Sequence, residues 1–283
     1  MPVISYLMVK HVSLKSSIIS LIVFFWFAQF ELNGQSMALV SLQVENEITA
    51  YSKNRSGDIF LAFKGGAITK YNSSLDSIIS FSPTKIGDIT LLEAGHGFQI
   101  FAFYNDFQEY AILDRFLTRD TRYSLSRTAA NYVDNCTFSR DQNLWAFEEN
   151  QMRLVKINLS VREIEIEVPL EFVIDSQDHE ISFIKEYQNL VFLVDKLSGI
   201  YIFDNLGNYL RKIDAEGVTQ CSFNKDILYF VEKDQLHMLS LYKKEHEQVQ
   251  LTKSSYLGVL ATVDNLFLIE PKEVIRLSYS IEE

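Results

Sequence analysis

Asn189–Asp214, NLVFLVDKLSGIYIFDNLGNYLRKID, is the stretch on which the fold turns. It holds an apolar strand (Leu190–Val194), a polar turn (Asp195–Gly199), a second apolar strand (Ile200–Phe203), a turn containing glycine (Asp204–Asn208) and a third strand (Tyr209–Ile213). Gly199, Gly207 and Asn208 suit tight reversals, because Gly and Asn accept the positive φ that such turns require. The segment therefore reads as a meander of antiparallel hairpins.

Working outward, the strand that begins at Asn189 has counterparts in DIFLAF (Asp58–Phe63), QIFAFY (Gln99–Tyr104), NLWAFE (Asn143–Glu148), DILYFV (Asp226–Val231) and NLFLIE (Asn265–Glu270). Successive copies start between 37 and 46 residues apart, the period of arrays that form one small sheet per repeat. A second strand follows each copy: Ala67–Asn72, Glu109–Asp114, Met152–Ile157, Gly199–Asp204, Gln235–Ser240 and Glu273–Ser278. A third, more polar strand follows in five of the six, at Ser77–Ser82, Thr121–Ser126, Arg162–Val168, Tyr209–Ile213 and Glu247–Leu251. The sixth copy reaches Glu283 without one. Before the first copy lie a first strand, Glu47–Ser52, and a spare apolar segment, Met37–Val44.

If the spare segment pairs with the last copy, it supplies the absent outer strand and closes a ring. The expected fold is all-β, a six-bladed β-propeller of four-stranded antiparallel blades closed by an N-terminal strand. A sandwich or barrel would use similar strands but has no reason for a six-fold period. The repeated pattern, (N/D) before three apolar residues and then a polar turn, resembles six-bladed propellers of the NHL and TolB-like type. FYNDFQEYAILDRFLT and KEYQNLVFLVDKLSGIYIFDNLGNY resemble secreted bacterial members of that group in particular. That resemblance implies a fold and names no substrate.

The first residues read separately. Lys10, His11 and Lys15 precede the apolar run Ile18–Ala28, and Gly34 lies before Gln35, which is the layout of a secretory signal peptide. The run falls short of the about 20 apolar residues that span a membrane. Residues 1–34 are thus expected to be a signal peptide and residues 35–283 the propeller, in an exported protein of the periplasm or extracellular space with no stable membrane insertion after cleavage. Removing 1–34 takes away Lys10, Lys15 and Glu31 and moves the net charge from −11 to −12. So acidic a chain has no general attraction for nucleic acid. A monomer is expected.

Familiar chemical signatures are missing from the sequence. It has no G-x-S-x-G, Walker A or C-x-x-C motif, and His179-Glu180 is not continued into H-E-x-x-H. Gly95-His96-Gly97 reads as a turn. Cys136 and Cys221 sit in matching segments, NCTFSRD and QCSFNKD, which places them on the inner strands of blades 3 and 5. Those blades are not neighbours, and a disulfide needs Cα atoms within about 7 Å, so free buried thiols are expected. Arg115, Arg119 and Arg122 surround the outer hairpin of blade 2, where ion pairing with Asp114 and Asp120 is expected. Phe101, Phe103, Trp145, Phe147, Phe192 and Tyr229 read as core.

For a site, the connector Pro169–Glu180 and the turns between second and third strands share one face, which is expected to be the mouth of the channel. Glu148, Asp175, Asp178, His179 and Asp195 would gather there into an acidic patch able to hold a divalent cation such as Ca²⁺, or a basic partner. Solvated loop charge and hairpin capping are the plain alternative. The absence of a nucleophile or metal motif favours a non-catalytic exported propeller that binds a protein or cell-envelope component. The other reading is a metal-dependent, lactonase-like hydrolase with its site at the channel mouth.

Overall fold

The computed structural model describes residues 39–278 apart from 98, 176 and 254, so the expected signal segment and its cut near Gln35 lie outside the described residues. The described chain opens with β1 (Leu39–Gln43). Blade 1 is β2 (Ile48–Lys53), β3 (Ile59–Phe63), β4 (Ile68–Tyr71) and β5 (Ser77–Phe81). Blade 2 is β6 (Leu91–His96), β7 (Gln99–Tyr104), β8 (Glu109–Asp114) and β9 (Asp120–Ser124). Blade 3 is β10 (Asn135–Phe138), β11 (Leu144–Glu148), β12 (Arg153–Asn158) and β13 (Glu163–Pro169). Blade 4 is β14 (Ile181–Tyr187), β15 (Leu190–Asp195), β16 (Gly199–Asp204) and β17 (Tyr209–Asp214). Blade 5 is β18 (Cys221–Asn224), β19 (Ile227–Glu232), β20 (Gln235–Ser240) and β21 (His246–Gln250). Blade 6 is β22 (Gly258–Ala261), β23 (Asn265–Ile269) and β24 (Glu273–Ser278), with β1 as its fourth strand.

The protein is therefore a six-bladed β-propeller whose last blade joins the two ends of the described chain. β1 runs antiparallel to β24 in continuous register from Leu39 opposite Leu277 to Gln43 opposite Glu273. Leu42 and Val44 pack beside the cluster of Leu260, Phe267 and Val274, so the closing strand contributes apolar contact as well as a ladder.

Burial follows position within the blade. All five residues of β3 and of β11 are buried, as befits strands covered on both faces. The outer strand β13 alternates between exposed and half-buried residues, as VREIEIEV suggests. Phe101, Phe103, Trp145, Phe147, Phe192 and Tyr229 are all buried, each contributing roughly 1.5–3 kcal/mol of apolar transfer.

The turns explain why the repeat is visible. At the end of β16, Asp204 Oδ1 accepts from Leu206 N (2.9 Å) and Asn208 N (2.8 Å), and these bonds hold its carboxyl below the usual carboxylate range, the Asn208 side chain contributing most. Asn72, Asp114 and Asn158 accept backbone N–H groups at the corresponding turns of blades 1, 2 and 3. Gly199 has φ +127°, and a Cβ there would lie 2.1 Å from Ile213 O, so β16 can lie against β17 at this point only through glycine.

Two local expectations are refined. Arg122 pairs with Asp120 (3.1 Å) and lies 3.8 Å from Glu109, while Asp114 caps its own turn and its pKa is also held down by the charge of Arg119. Cys136 and Cys221 are free and buried on β10 and β18, and burial pushes both thiols up, away from reactivity.

Candidate functional site at the channel mouth

The first strands of the blades line the central channel without forming a sheet with one another, so side chains must bridge them. On blades 1, 3 and 5 a hydroxyl does this. Ser52 Oγ accepts from Ala94 N (3.0 Å), Thr137 Oγ1 from Glu186 N (3.3 Å) and Ser222 Oγ from Ala261 N (3.2 Å). One residue beyond each hydroxyl stand Lys53, Phe138 and Phe223 respectively. Phe138 and Phe223 are buried, as an apolar ring should be in that position. Lys53 puts an ammonium into the equivalent place.

The consequence is electrostatic. Burial disfavours the charged form of an amine, and it lowers the Lys53 pKa from the ordinary 10.5 to about 8. No ion pair or hydrogen bond of the Lys53 amine is found among the described residues to offset this. Deeper in the channel the opposite holds for Lys185, whose Nζ lies 3.0 Å from Glu93 Oε1. Glu93 is buried, and it also accepts from Thr137 Oγ1 (2.6 Å) and Phe138 N (3.3 Å). A buried charge pair held by further hydrogen bonds is a rigid floor, since breaking it would strand a charge in the interior.

Lys53, Glu93 and Lys185 face a cavity of about 500 Å³ that opens among the turns joining first to second strands. Arg55, Arg140 and Lys225 stand on those turns, and Glu186 completes the charged lining. The Glu186 carboxylate is engaged by Ser139 Oγ and by Arg140 N (3.3 Å). Five basic groups thus face two acidic ones in a protein whose net charge is −11. Leu92, Leu260, Tyr187 and Phe223 supply apolar wall, the last two stacked with ring centroids 4.4 Å apart.

The five residues singled out from the sequence lie elsewhere, on the turns between second and third strands and on the connector from blade 3 to blade 4. Asp195 is fully buried and caps its own hairpin, accepting from Glu180 N (2.8 Å), Leu197 N (3.1 Å) and the Ser198 hydroxyl. Glu148 is buried against Arg153 and Asn131 N. Asp175 accepts from Gln177 N (2.9 Å) and its carbonyl meets His179 Nδ1 at 3.0 Å, while Asp178 is exposed. His179 Nε2 lies 3.9 Å from Glu149 Oε1. The connector thus brings Asp175 and His179 together, whereas Glu148 and Asp195 are committed within their own blades. No group of three or more His, Cys, Asp or Glu suited to a metal occurs among the described residues. Replacing Asp195 with Ala should strand two backbone donors and cost about 1–3 kcal/mol, read as a lower melting temperature. An unchanged melting temperature would show that the cap is idle.

Sequence reasoning missed Lys53, Arg55, Glu93, Arg140, Lys185 and Lys225. A signal for the first was present, since laying YSKN (Tyr51–Asn54) on CTFS (Cys136–Ser139) and CSFN (Cys221–Asn224) sets Lys53 against two phenylalanines.

No family model and no curated protein matches this sequence. Solved structures do match. Selenomethionine-substituted virginiamycin B lyase from Staphylococcus aureus is similar at TM-score 0.59 and 12% identity, over 87% of this chain and 100% of that one. A catalytically inactive form of virginiamycin B lyase from the same organism, with Quinupristin, is similar at TM-score 0.59 and 13% identity over the same shares. A streptogramin B lyase structure follows at TM-score 0.57 and 13% identity, over 87% of this chain and 88% of that one. At this identity the likeness shows the shared fold. It also corrects the functional expectation drawn from missing motifs, because these propellers are enzymes and the non-catalytic reading loses its footing. A propeller assembles its site from separate blades, so the absence of a linear motif says little about catalysis.

Proposed function

We propose that this chain is an enzyme that works at the channel mouth, with the neutral amine of Lys53 as general base in a lyase-type elimination. The observation that carries the reading is the Lys53 amine, lowered to about pKa 8 by burial, without a partner among the described residues, and lining a cavity of about 500 Å³. A base works best with a pKa near the operating pH, and desolvation is the usual means of bringing a lysine there. The alternative drawn from the sequence placed a metal-dependent, lactonase-like hydrolase on the face of the connector Pro169–Glu180, whereas this cavity opens on the opposite face, among the turns joining first to second strands. The metal of that hydrolase has no donor set among the described residues.

The step balances without a co-reactant. Lys53 Nζ takes a proton from the carbon next to a carbonyl, the C–H electron pair becomes a carbon–carbon double bond, and the carbon–oxygen bond one atom further on breaks. Its electrons leave on the oxygen, as a carboxylate when the scissile group is an ester. Arg55, Arg140 and Lys225 favour the negative charge that develops on the enolate and on the departing oxygen. The named lyases of the same fold support elimination over hydrolysis. The apolar run Ile18–Ala28 behind Lys10 and Lys15 supports an enzyme that meets its substrate outside the cytoplasm.

The test combines labelling and mass. An amine-acylating reagent should modify Lys53 with a pH midpoint near 8, against about 10.4 for an ordinary lysine. Incubation with quinupristin and with simple cyclic esters bearing an acidic C–H should give ring-opened products of unchanged mass, at rates that rise with pH and level off above about 8. Products that gain the mass of one water would refute elimination. An ordinary labelling midpoint would remove Lys53 from the role of base.

A further inference from the structure

We infer that the substrate of this site carries a carboxylate on an apolar body, the anion held at the rim by Arg55, Arg140 and Lys225 and the body packed on Tyr187 and Phe223. The inference rests on the channel-mouth reading and adds the chemistry of what enters it.

Charge is the first argument. The protein as a whole repels anions, with a net charge of −11, yet this one cavity inverts the sign. Its two carboxylates are already engaged, Glu93 by Lys185, Thr137 and Phe138, and Glu186 by Ser139 and Arg140 N. The side-chain cations of Arg55, Arg140 and Lys225 have no ion pair among the described residues. Basic residues elsewhere in the blades commonly do: Lys70 meets Asp58 at 2.8 Å, Lys156 meets Asp141 at 2.6 Å and Lys253 meets Glu270 at 2.8 Å. Cations gathered at a concave mouth raise the local concentration of an anion and hold it by charge-assisted hydrogen bonds.

Shape is the second argument. A volume of about 500 Å³ lies within the range of sites for small organic molecules and far exceeds what a bare inorganic anion fills. The stacked rings of Tyr187 and Phe223 line the same cavity, together with Leu92 and Leu260. A flat apolar group would bury against them while its carboxylate stays at the turns. Lys53 lines the same cavity.

The experiment uses naphthoate, its neutral amide and inorganic phosphate as probes in titration calorimetry with the whole chain. Naphthoate is expected to bind, the amide and phosphate at least about tenfold more weakly, and naphthoate binding is expected to weaken as salt is raised. The double variant Arg55→Gln/Arg140→Gln should lose about tenfold in naphthoate affinity while Lys53 still labels with a midpoint near pH 8. Both arginines lie on exposed turns, so the fold should tolerate the change. Equal binding of the amide, binding of phosphate as tight as naphthoate, or an unaffected double variant would each overturn the inference. An ordinary Lys53 labelling midpoint alongside selective naphthoate binding would instead refute the base and leave the anion site standing.

Discussion

Removal of β1 is expected to cost about 5 kcal/mol and to make the protein aggregate. The estimate comes from burying part of Leu42 and Val44 and from a ladder of five paired residues at about 1 kcal/mol or less per net hydrogen bond. That is a large share of the 5–15 kcal/mol or so by which domains are stable. The second loss is geometric. Without β1, β24 becomes an open edge at the one seam of the ring, and unpaired edges recruit other chains. Urea melting with light scattering on a chain lacking residues 39–43 measures both effects, and a synthetic peptide spanning 37–45 added in trans should restore part of the stability. A truncated chain that melts like its parent, without scattering, would show that closure contributes nothing.

Replacing Lys53 by Met is expected to act in the opposite direction. The folded chain holds this amine at a pKa of about 8 and the unfolded chain at an ordinary 10.5, so between those values the unfolded state binds more protons and stability climbs with pH. Below about pH 8 both states are protonated, and the folded state carries the whole cost of keeping an ammonium where blades 3 and 5 keep phenylalanine. The variant should therefore be more stable than the parent at pH 7 by up to about 3 kcal/mol, with the gain shrinking to nothing as pH rises through the interval from 8 to 10.5. Any lyase activity should vanish with it, the usual opposition between stability and a strained functional group. Denaturant midpoints at pH 7 and pH 10.5 decide the matter. A variant that is less stable at pH 7 would mean that the amine has a stabilising partner, and the argument for a base would fall.

How much of this could be read in the sequence differs sharply between fold and site. The propeller was legible because its determinants are local and repeated: the second strands of the blades are buried on both faces and so read as continuous apolar runs, and Asp204, Asn72, Asp114 and Asn158 punctuate the same turn in four blades. Even closure showed itself, as a surplus strand at one end and a deficit at the other. The acidic patch expected from the sequence does not gather in the structure, for a physical reason. Asp195 and Glu148 look like free carboxylates in one dimension, but backbone donors and Arg153 claim them in three. The channel mouth, in contrast, draws on turns from several blades, and its acidic floor was hidden because Glu93 and Lys185 meet across a whole intervening blade. Lys53 alone left a local mark, as the one charge in a position that two other blades fill with a ring.

The hydroxyl bridges at Ser52, Thr137 and Ser222 fall at equal intervals along the chain and on alternate blades, which gives the channel a three-fold axis inside its six-fold ring. A molecule on such an axis would meet the same wall every third of a turn and have no preferred rotation. Lys53 removes that degeneracy, because blade 1 lines the cavity with an amine at the position where blades 3 and 5 bury the rings of Phe138 and Phe223. A guest entering along the axis would thereby meet one setting in every full turn that differs from the other two, the one in which it faces the amine of blade 1.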